Sequence, residues 1–398
     1  MRRILMVLFF ITLLTLPLGC GFSAGESASM EAPPAPPPPA PPETITITAV
    51  GDFLMHMPVI RSAQLADGSY DFKPIFSEVK GLLSSSDLTI ANLETRLAGK
   101  QFGYSGYPVF NCPEDLAYDL KDLGVDVVTT ANNHSLDRGW PGIVNTLTHL
   151  ESAGLSHVGT SRSPEEANQV LITNVKNIKV GILNYTENTN GIPLPKGKEF
   201  AVNLMKAEKI YTDIDKLRSQ GAEIIIAYLH FGTEYQRQPN EFQRKLVQEL
   251  FTRGVDIVFG DHVHVIQPID FQKVPAESNE KASFVVYSLG NFISNQTWRY
   301  SDCGLIVNIV LEKNAGGVSL KTADYIPVWV DTYSQQGQKK YRVLPVQKAL
   351  EDYQAKTDPL LDRNDFIKLQ EVWQDTTSLI SEACPVIAPK QVPGGSKL

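Results

Sequence analysis

Five short apolar runs in this 398-residue chain each lead into side chains that can bind a metal ion. The runs at 45–50, 87–91, 125–130, 223–229 and 255–259 are followed by Asp52, by Glu94, by Asn133 with His134, by His230, and by His262 with His264. No Cys-x-x-Cys is present, so a thiolate zinc site is not indicated. Taken singly, each segment has an ordinary alternative. Gly51-Asp52 also reads as a turn, Asn132-Asn133 as a loop or helix cap, and a histidine after a strand as a hydrogen-bonded structural residue. His262-Val263-His264 is a stronger signal, because residues i and i+2 of an extended segment face the same side. Five of the seven histidines, His56, His134, His230, His262 and His264, fall in such segments, whereas His149 and His157 read as surface or helix residues.

The elements that must position these groups are legible as a rhythm. Short β-branched runs are the pattern of buried strands, and further runs occur at 178–184, 284–288, 305–312 and 323–330. Helical patterns fall between them at 74–83, 113–123, 140–153, 206–220 and 241–253. Strands alternating with helices predict an α/β fold with a largely buried sheet. Ligands of such sheets gather beyond the carboxyl ends of the strands, so strands lying side by side bring the five segments together. After 330 the rhythm stops. Residues 331–340 read as a hairpin or loop, 347–354 and 365–383 as helices, and the Pro- and Gly-rich residues from Pro385 as disordered.

The order of the segments is the specific signal. Asp, an acidic residue, Asn-His, a single His and His-x-His follow one another as in the calcineurin-like metallophosphoesterases, whose motifs are D-x-H, G-D-x-x-D, G-N-H, H and G-H-x-H. Two segments depart from that pattern. Gly51-Asp52-Phe53-Leu54-Met55-His56 has no His two residues after the Asp, and Asn92-Leu93-Glu94 stands in place of G-D-x-x-D. Both departures resemble the poly-γ-glutamate capsule proteins of the CapA family. So do residues 131–139 around Asn132-Asn133-His134, His230-Phe231-Gly232-Thr233-Glu234-Tyr235, and Tyr287-Ser288-Leu289-Gly290-Asn291-Phe292. The resemblance covers about residues 44–310.

That resemblance implies an αββα sandwich, two central β-sheets flanked by helices. It also implies two divalent metal ions, one taking Asp52 and His264, the other Asn133, His230 and His262, with Glu94 bridging. His56, four residues past Asp52, is a candidate substitute for the missing His. His134 would bind no metal and would act on the reacting group, with Asp137 orienting it. Carboxylate, carboxamide and imidazole without thiolate suit Mn, Fe or Zn. A metal pair favours phosphoester hydrolysis and can also polarise an amide carbonyl. Three functions stay open: a phosphoesterase, an amide hydrolase acting on the γ-glutamyl polymer, and a non-catalytic accessory that binds an anionic polymer for retention or export. Partners would be capsule synthesis or export proteins.

Composition sets the outer limits. Hydrophobic residues make up 42% and charged residues 20%, ordinary for a globular protein, and the formal net charge of −8 argues against a nucleic-acid partner. Arg2 and Arg3 precede an apolar run at 4–18, which reads as a signal peptide. Leu16-Pro17-Leu18-Gly19-Cys20 resembles a lipobox, which predicts an exported chain lipid-anchored to the cell membrane at Cys20 on its extracytoplasmic side; an ordinary cleaved signal is the alternative. The predicted organisation is a signal peptide at 1–20, a Pro-rich linker at 21–43, a main domain at 44–330 and a partly helical extension at 331–398. Cys112, Cys303 and Cys384 allow at most one disulfide. Tyr104, Tyr107 and Phe110 form a Gly-punctuated aromatic loop that either lines a groove or packs. Arg299 either meets an anionic substrate or is one more surface arginine.

Overall fold

In the computed structural model the described residues are 43–275 and 280–392. The signal peptide, the Cys20 lipobox and nearly all of the Pro-rich linker lie outside them. The chain runs through β1 (Glu43–Phe53), β2 (Leu88–Asn92), β3 (Val127–Thr129) and β4 (Ser156–Val158). It continues through β5 (Leu171–Val175), β6 (Ile178–Thr186), β7 (Ile224–His230), β8 (Ile257–Asp261), β9 (Ile269–Pro275) and β10 (Glu280–Val286). It returns with β11 (Asn291–Ile293), β12 (Cys303–Asn314), β13 (Gly317–Gln335) and β14 (Gln338–Pro345). The first sheet has eight strands in the order β14-β13-β12-β1-β2-β3-β4, with β11 also paired to β1. The second has six, in the order β5-β6-β7-β8-β10-β9. The pairs β1/β2, β2/β3, β3/β4, β6/β7, β7/β8 and β8/β10 are parallel.

Period-two alternation explains the layers. Along β7, Ile224, Ile226 and Tyr228 join Ile45, Ile47 and Ile90 of the first sheet in one buried cluster between the sheets. The intervening Ile225, Ala227 and Leu229 pack outward on Ile210, Ile214 and Leu217 of the helix Ala207–Ser219 and on Val247 and Leu250 of Glu241–Thr252. Buried on both faces, the strand reads as an unbroken apolar run. On the other side Val50, Ala91 and Val128 meet Leu116, Leu120, Ile143 and Leu147 of the helices Asp115–Leu123 and Gly139–Ser152. The order of layers is helix, sheet, sheet, helix, as expected for the αββα sandwich.

The structure differs from the sequence expectation in several places. The helix expected over 74–83 is two short pieces, Lys73–Phe76 and Lys80–Ser84. Residues 331–340, by contrast, form the hairpin that was one of the two expectations there: β13 runs on to Gln335 and turns into β14. Val346, Ala349, Leu369, Val372, Leu379 and Ile380 of the helices Val346–Ala355 and Arg363–Ala383 join the inter-sheet cluster. The first sheet is wider than the second, and these helices cover the inner face that would otherwise be bare. Residues 385–392, expected to be disordered, lie against β13: Ile387 is buried and the Lys390 N–H donates to the Tyr325 carbonyl at 2.8 Å. Cys112, Cys303 and Cys384 are free and buried. Among the described residues no helix is long and apolar enough to cross a membrane.

Candidate metal centre

Strand ends deliver the ligand groups. At the end of β1 the Asp52 N–H donates to the Gly290 carbonyl at 3.0 Å. That approach needs a glycine at 51, because a Cβ there would overlap the Gly290 oxygen. Gly51→Ala is expected to lower stability by about 3 kcal/mol, the upper part of the overpacking range, because the obstacle is backbone; the urea midpoint measures it. Asp52 is fully buried, with Oδ1 accepting from Asn92 Nδ2 at 2.7 Å and Oδ2 3.1 Å from His264 Nδ1.

Glu94 follows β2 and is also fully buried. Its Oε1 lies 3.4 Å from His230 Nε2 and 3.8 Å from His264 Nε2. His230, the last residue of β7, places Nε2 2.9 Å from Asn133 Oδ1. The His230 and His262 rings are 4.8 Å apart. The donor atoms fall into two sets, Glu94/His230/His262 and Asp52/Glu94/His264, within each of which they lie no more than 4.8 Å apart, and Glu94 belongs to both.

His262 and His264 do converge, but not as an extended pair. Their φ angles are 95° and 59°, in the left-handed region that side chains with a Cβ rarely adopt. The expectation of same-side geometry from an i, i+2 strand is corrected: a strained turn aims the two rings, and such strain persists where the surroundings enforce it.

His134 and His56 stand apart from both sets. His134 Nδ1 is 2.8 Å from Asp137 Oδ2, and that same oxygen accepts the Phe110 N–H at 2.6 Å. His56 Nδ1 lies 3.2 Å from the Leu54 carbonyl and 3.2 Å from the Asn295 N–H. Burial pushes its pKa down to about 4. The structure does not bring His56 into either donor set. A third cluster, Glu151/His157/Glu166, is at the surface, and Arg162 already binds both carboxylates.

The electrostatics of the pocket are lopsided. Asp52, Glu94 and Asp261 are three fully buried carboxylates. Burial, reinforced by the Asp52 charge, raises the pKa values of Glu94 and Asp261 well above the usual carboxylate range. Burial, then the neighbouring His262 and His264, drives His230 well below its usual value. Both Glu94 oxygens, Asp261 Oδ1 and His262 Nδ1 lack a hydrogen-bond partner. Orphaned buried acceptors of this kind are costly. Oxygen and nitrogen donors around three buried carboxyl groups, two of them held from ionising until a cation offsets the charge, fit divalent cations.

Three contributors had been given no role from the sequence. Asn92 bonds Asp52 and lies 3.4 Å from His230 Nδ1. Asn291 Oδ1 lies 3.2 Å from His264 Nδ1. Asp261 accepts from the Tyr228 hydroxyl at 2.6 Å. A signal for Asp261 exists, since Gly260-Asp261 closes β8 much as Gly51-Asp52 comes one residue before the end of β1, and a Cβ at 260 would likewise strike a backbone oxygen, that of Tyr287.

The profile of the family described as bacterial capsule synthesis protein PGA_cap matches residues 46–296. The chain belongs to this family. The PGA_cap match encloses every residue of the two donor sets, together with Asn92, Asp261 and Asn291. Curated relatives agree. The capsule biosynthesis protein CapA of Bacillus anthracis is 25% identical over 316 residues, covering 78% of this chain and 71% of that one. The PGA biosynthesis protein CapA of Bacillus subtilis is 25% identical over 315 residues, covering 74% and 76%. Among solved structures, the NAD nucleotidase of Haemophilus influenzae aligns with a TM-score of 0.44 at 14% identity, covering 85% of this PGA_cap chain and 60% of that one. A superposition that loose carries no argument about chemistry.

Proposed function

We propose that this chain is a cell-envelope protein of capsule biosynthesis, of the poly-γ-glutamate type, with a metal-dependent phosphoesterase site. Membrane attachment through a lipid on Cys20 belongs to the same reading, as do capsule synthesis or export proteins as partners. The observation that carries it is Glu94, buried, without a hydrogen-bond partner and shared by two donor sets. Asp52, Glu94 and His264 would hold one divalent ion, and Glu94, Asn133, His230 and His262 the other. Such ions, when bound, lower the pKa of a coordinated water and polarise the phosphoryl oxygens.

The remaining work falls to this chain's own groups. Asp137, itself fixed by the Phe110 N–H, holds His134 through Nδ1. That leaves Nε2 as the nitrogen free to hold or give a proton to the leaving oxygen. Asn92 and Asn291 orient Asp52 and His264, the supporting role that hydrogen-bonded neighbours of metal ligands usually take.

The test is metal analysis of the purified protein together with hydrolysis of p-nitrophenyl phosphate in Mn²⁺. His262→Ala is expected to lose bound metal and at least a hundredfold of activity. Hydrolysis that survives the substitution undiminished would remove the site from consideration.

A further inference from the structure

A cleft of about 690 Å³ opens from the candidate centre to the surface, a volume that suits a small organic ligand. Two aromatic walls line it, each starting at a histidine. On one, the Tyr235 ring lies 6.0 Å from His264 and 5.4 Å from Trp298. On the other, Phe110 lies 4.7 Å from His134 and 6.4 Å from Tyr107. Phe110 is buried, but Tyr107 is 76% exposed, Trp298 49% and Tyr235 40%. Half of the exposed aromatic side chains among the described residues thus gather at one cleft. Tyr235 holds this position with φ of 64°, its hydroxyl accepting from Gln296 Nε2 at 3.2 Å. Clustered exposed apolar surface marks binding sites more often than chance, and backbone strain concentrates at functional positions.

Charge narrows the ligand. Among the described residues lining the cleft there is no Lys or Arg, while Asp137 and Glu234 are both present. Lys339 reaches only the rim, donating to Asn295 Oδ1 at 3.3 Å. Arg299 is not part of the lining and forms a two-bond pair with Asp375, at 2.8 and 2.9 Å. Beside His56, His134 and His264, the remaining polar lining is carboxamide: Asn133, Asn190, Asn295 and Gln296. A polyanion brought into this space would lose hydration at every carboxylate with no side-chain cation to offset it. An uncharged ring meets aromatic faces to stack on and amides to bond its hydroxyl or ring nitrogen groups.

Resting on the phosphoesterase reading above, we propose that the cleft takes a phosphoester whose organic part is an uncharged ring, a sugar or a nucleobase. The ring stacks on Trp298, Tyr235 and Tyr107, and an extended polyanion such as poly-γ-glutamate is excluded.

Calorimetric titration of the full chain tests this without relying on turnover. The probes carry no phosphate: methyl glucoside and methyl N-acetylglucosaminide in one arm, adenosine and uridine in the other, and poly-γ-glutamate in a third. One ring arm is expected to bind at millimolar Kd or tighter, and the arm that binds identifies the source. Trp298→Ala and, separately, the well-exposed Tyr107→Ala are expected to weaken that binding about tenfold, within the range for loss of one stacking partner. Poly-γ-glutamate is expected neither to bind the cleft nor to compete. Absence of binding in both ring arms overturns the proposal, as does poly-γ-glutamate binding that Trp298→Ala weakens. Aryl phosphate hydrolysis is measured in parallel. Its absence with ring binding intact counts against the phosphoesterase reading alone.

Discussion

Glu94→Gln is expected to melt at a higher temperature than the native chain in chelator, and to show no upward shift when Mn²⁺ is added. In the native chain both Glu94 oxygens are buried without a hydrogen-bond partner, close to the Asp52 charge. An unsatisfied buried polar group costs about 1–3 kcal/mol, and more when charged. The carboxamide cannot ionise; its N–H₂ can donate to His264 Nε2, 3.8 Å from the present Oε1, and its oxygen can accept from the His230 Nε2–H, 3.4 Å away. The metal-free fold should therefore gain about 1–3 kcal/mol. A cation present at a hundred times its Kd stabilises a native state by about 2.7 kcal/mol, and that increment should disappear with the carboxylate. Scanning calorimetry with and without Mn²⁺ would show a metal-dependent rise in the native chain and none in the variant. A residue that served only to hold the fold would lower the midpoint in both conditions, and that result would defeat the assignment of Glu94.

His134→Gln is expected to reduce kcat for p-nitrophenyl phosphate by about 10²–10⁴, the usual range for loss of a proton-transfer group. Metal content should stay at the native level. The two readouts separate because His134 belongs to neither donor set. Its ring is fixed by Asp137 through Nδ1 and by the edge-on Phe110 ring, so the substitution removes a nitrogen without emptying the cluster. Loss of bound metal along with activity would instead make His134 part of the cation-binding framework, and the proton-transfer role would be abandoned.

Much of the site was legible because its groups lie at or just beyond strand ends. His230 closes β7, and Asp52 sits one residue before the end of β1. A β-branched run followed by a polar residue is a local pattern, and the parallel sheet supplies the convergence. The backbone at His262 and His264 was not legible, because a positive φ at a residue other than glycine leaves no mark in composition. Nor were the roles of Asn92 and Asn291. Asn92 meets Asp52 across 40 residues, and Asn291 meets His264 across 27, contacts that depend on tertiary register. In the fold, the buried central strands were visible and the marginal ones were not. β4 has three residues and is partly exposed, too short for any periodicity to show. The long strand β13 was read only in its middle, because its two ends carry Ser, Lys, Thr and Gln that face water.

The unequal width of the two sheets has a bearing on how this protein can diverge. The region matched by the family profile stops at 296, yet part of the apolar lining between the sheets comes from Leu369, Val372 and Ile380, far beyond it. Cooperative units of folding need not share borders with units of sequence kinship. The two stretches are thus locked into joint drift: a bulkier side chain on the inner face of one must be met by a smaller one in the other. Donor segments exchanged between relatives would have to carry both halves of that seam.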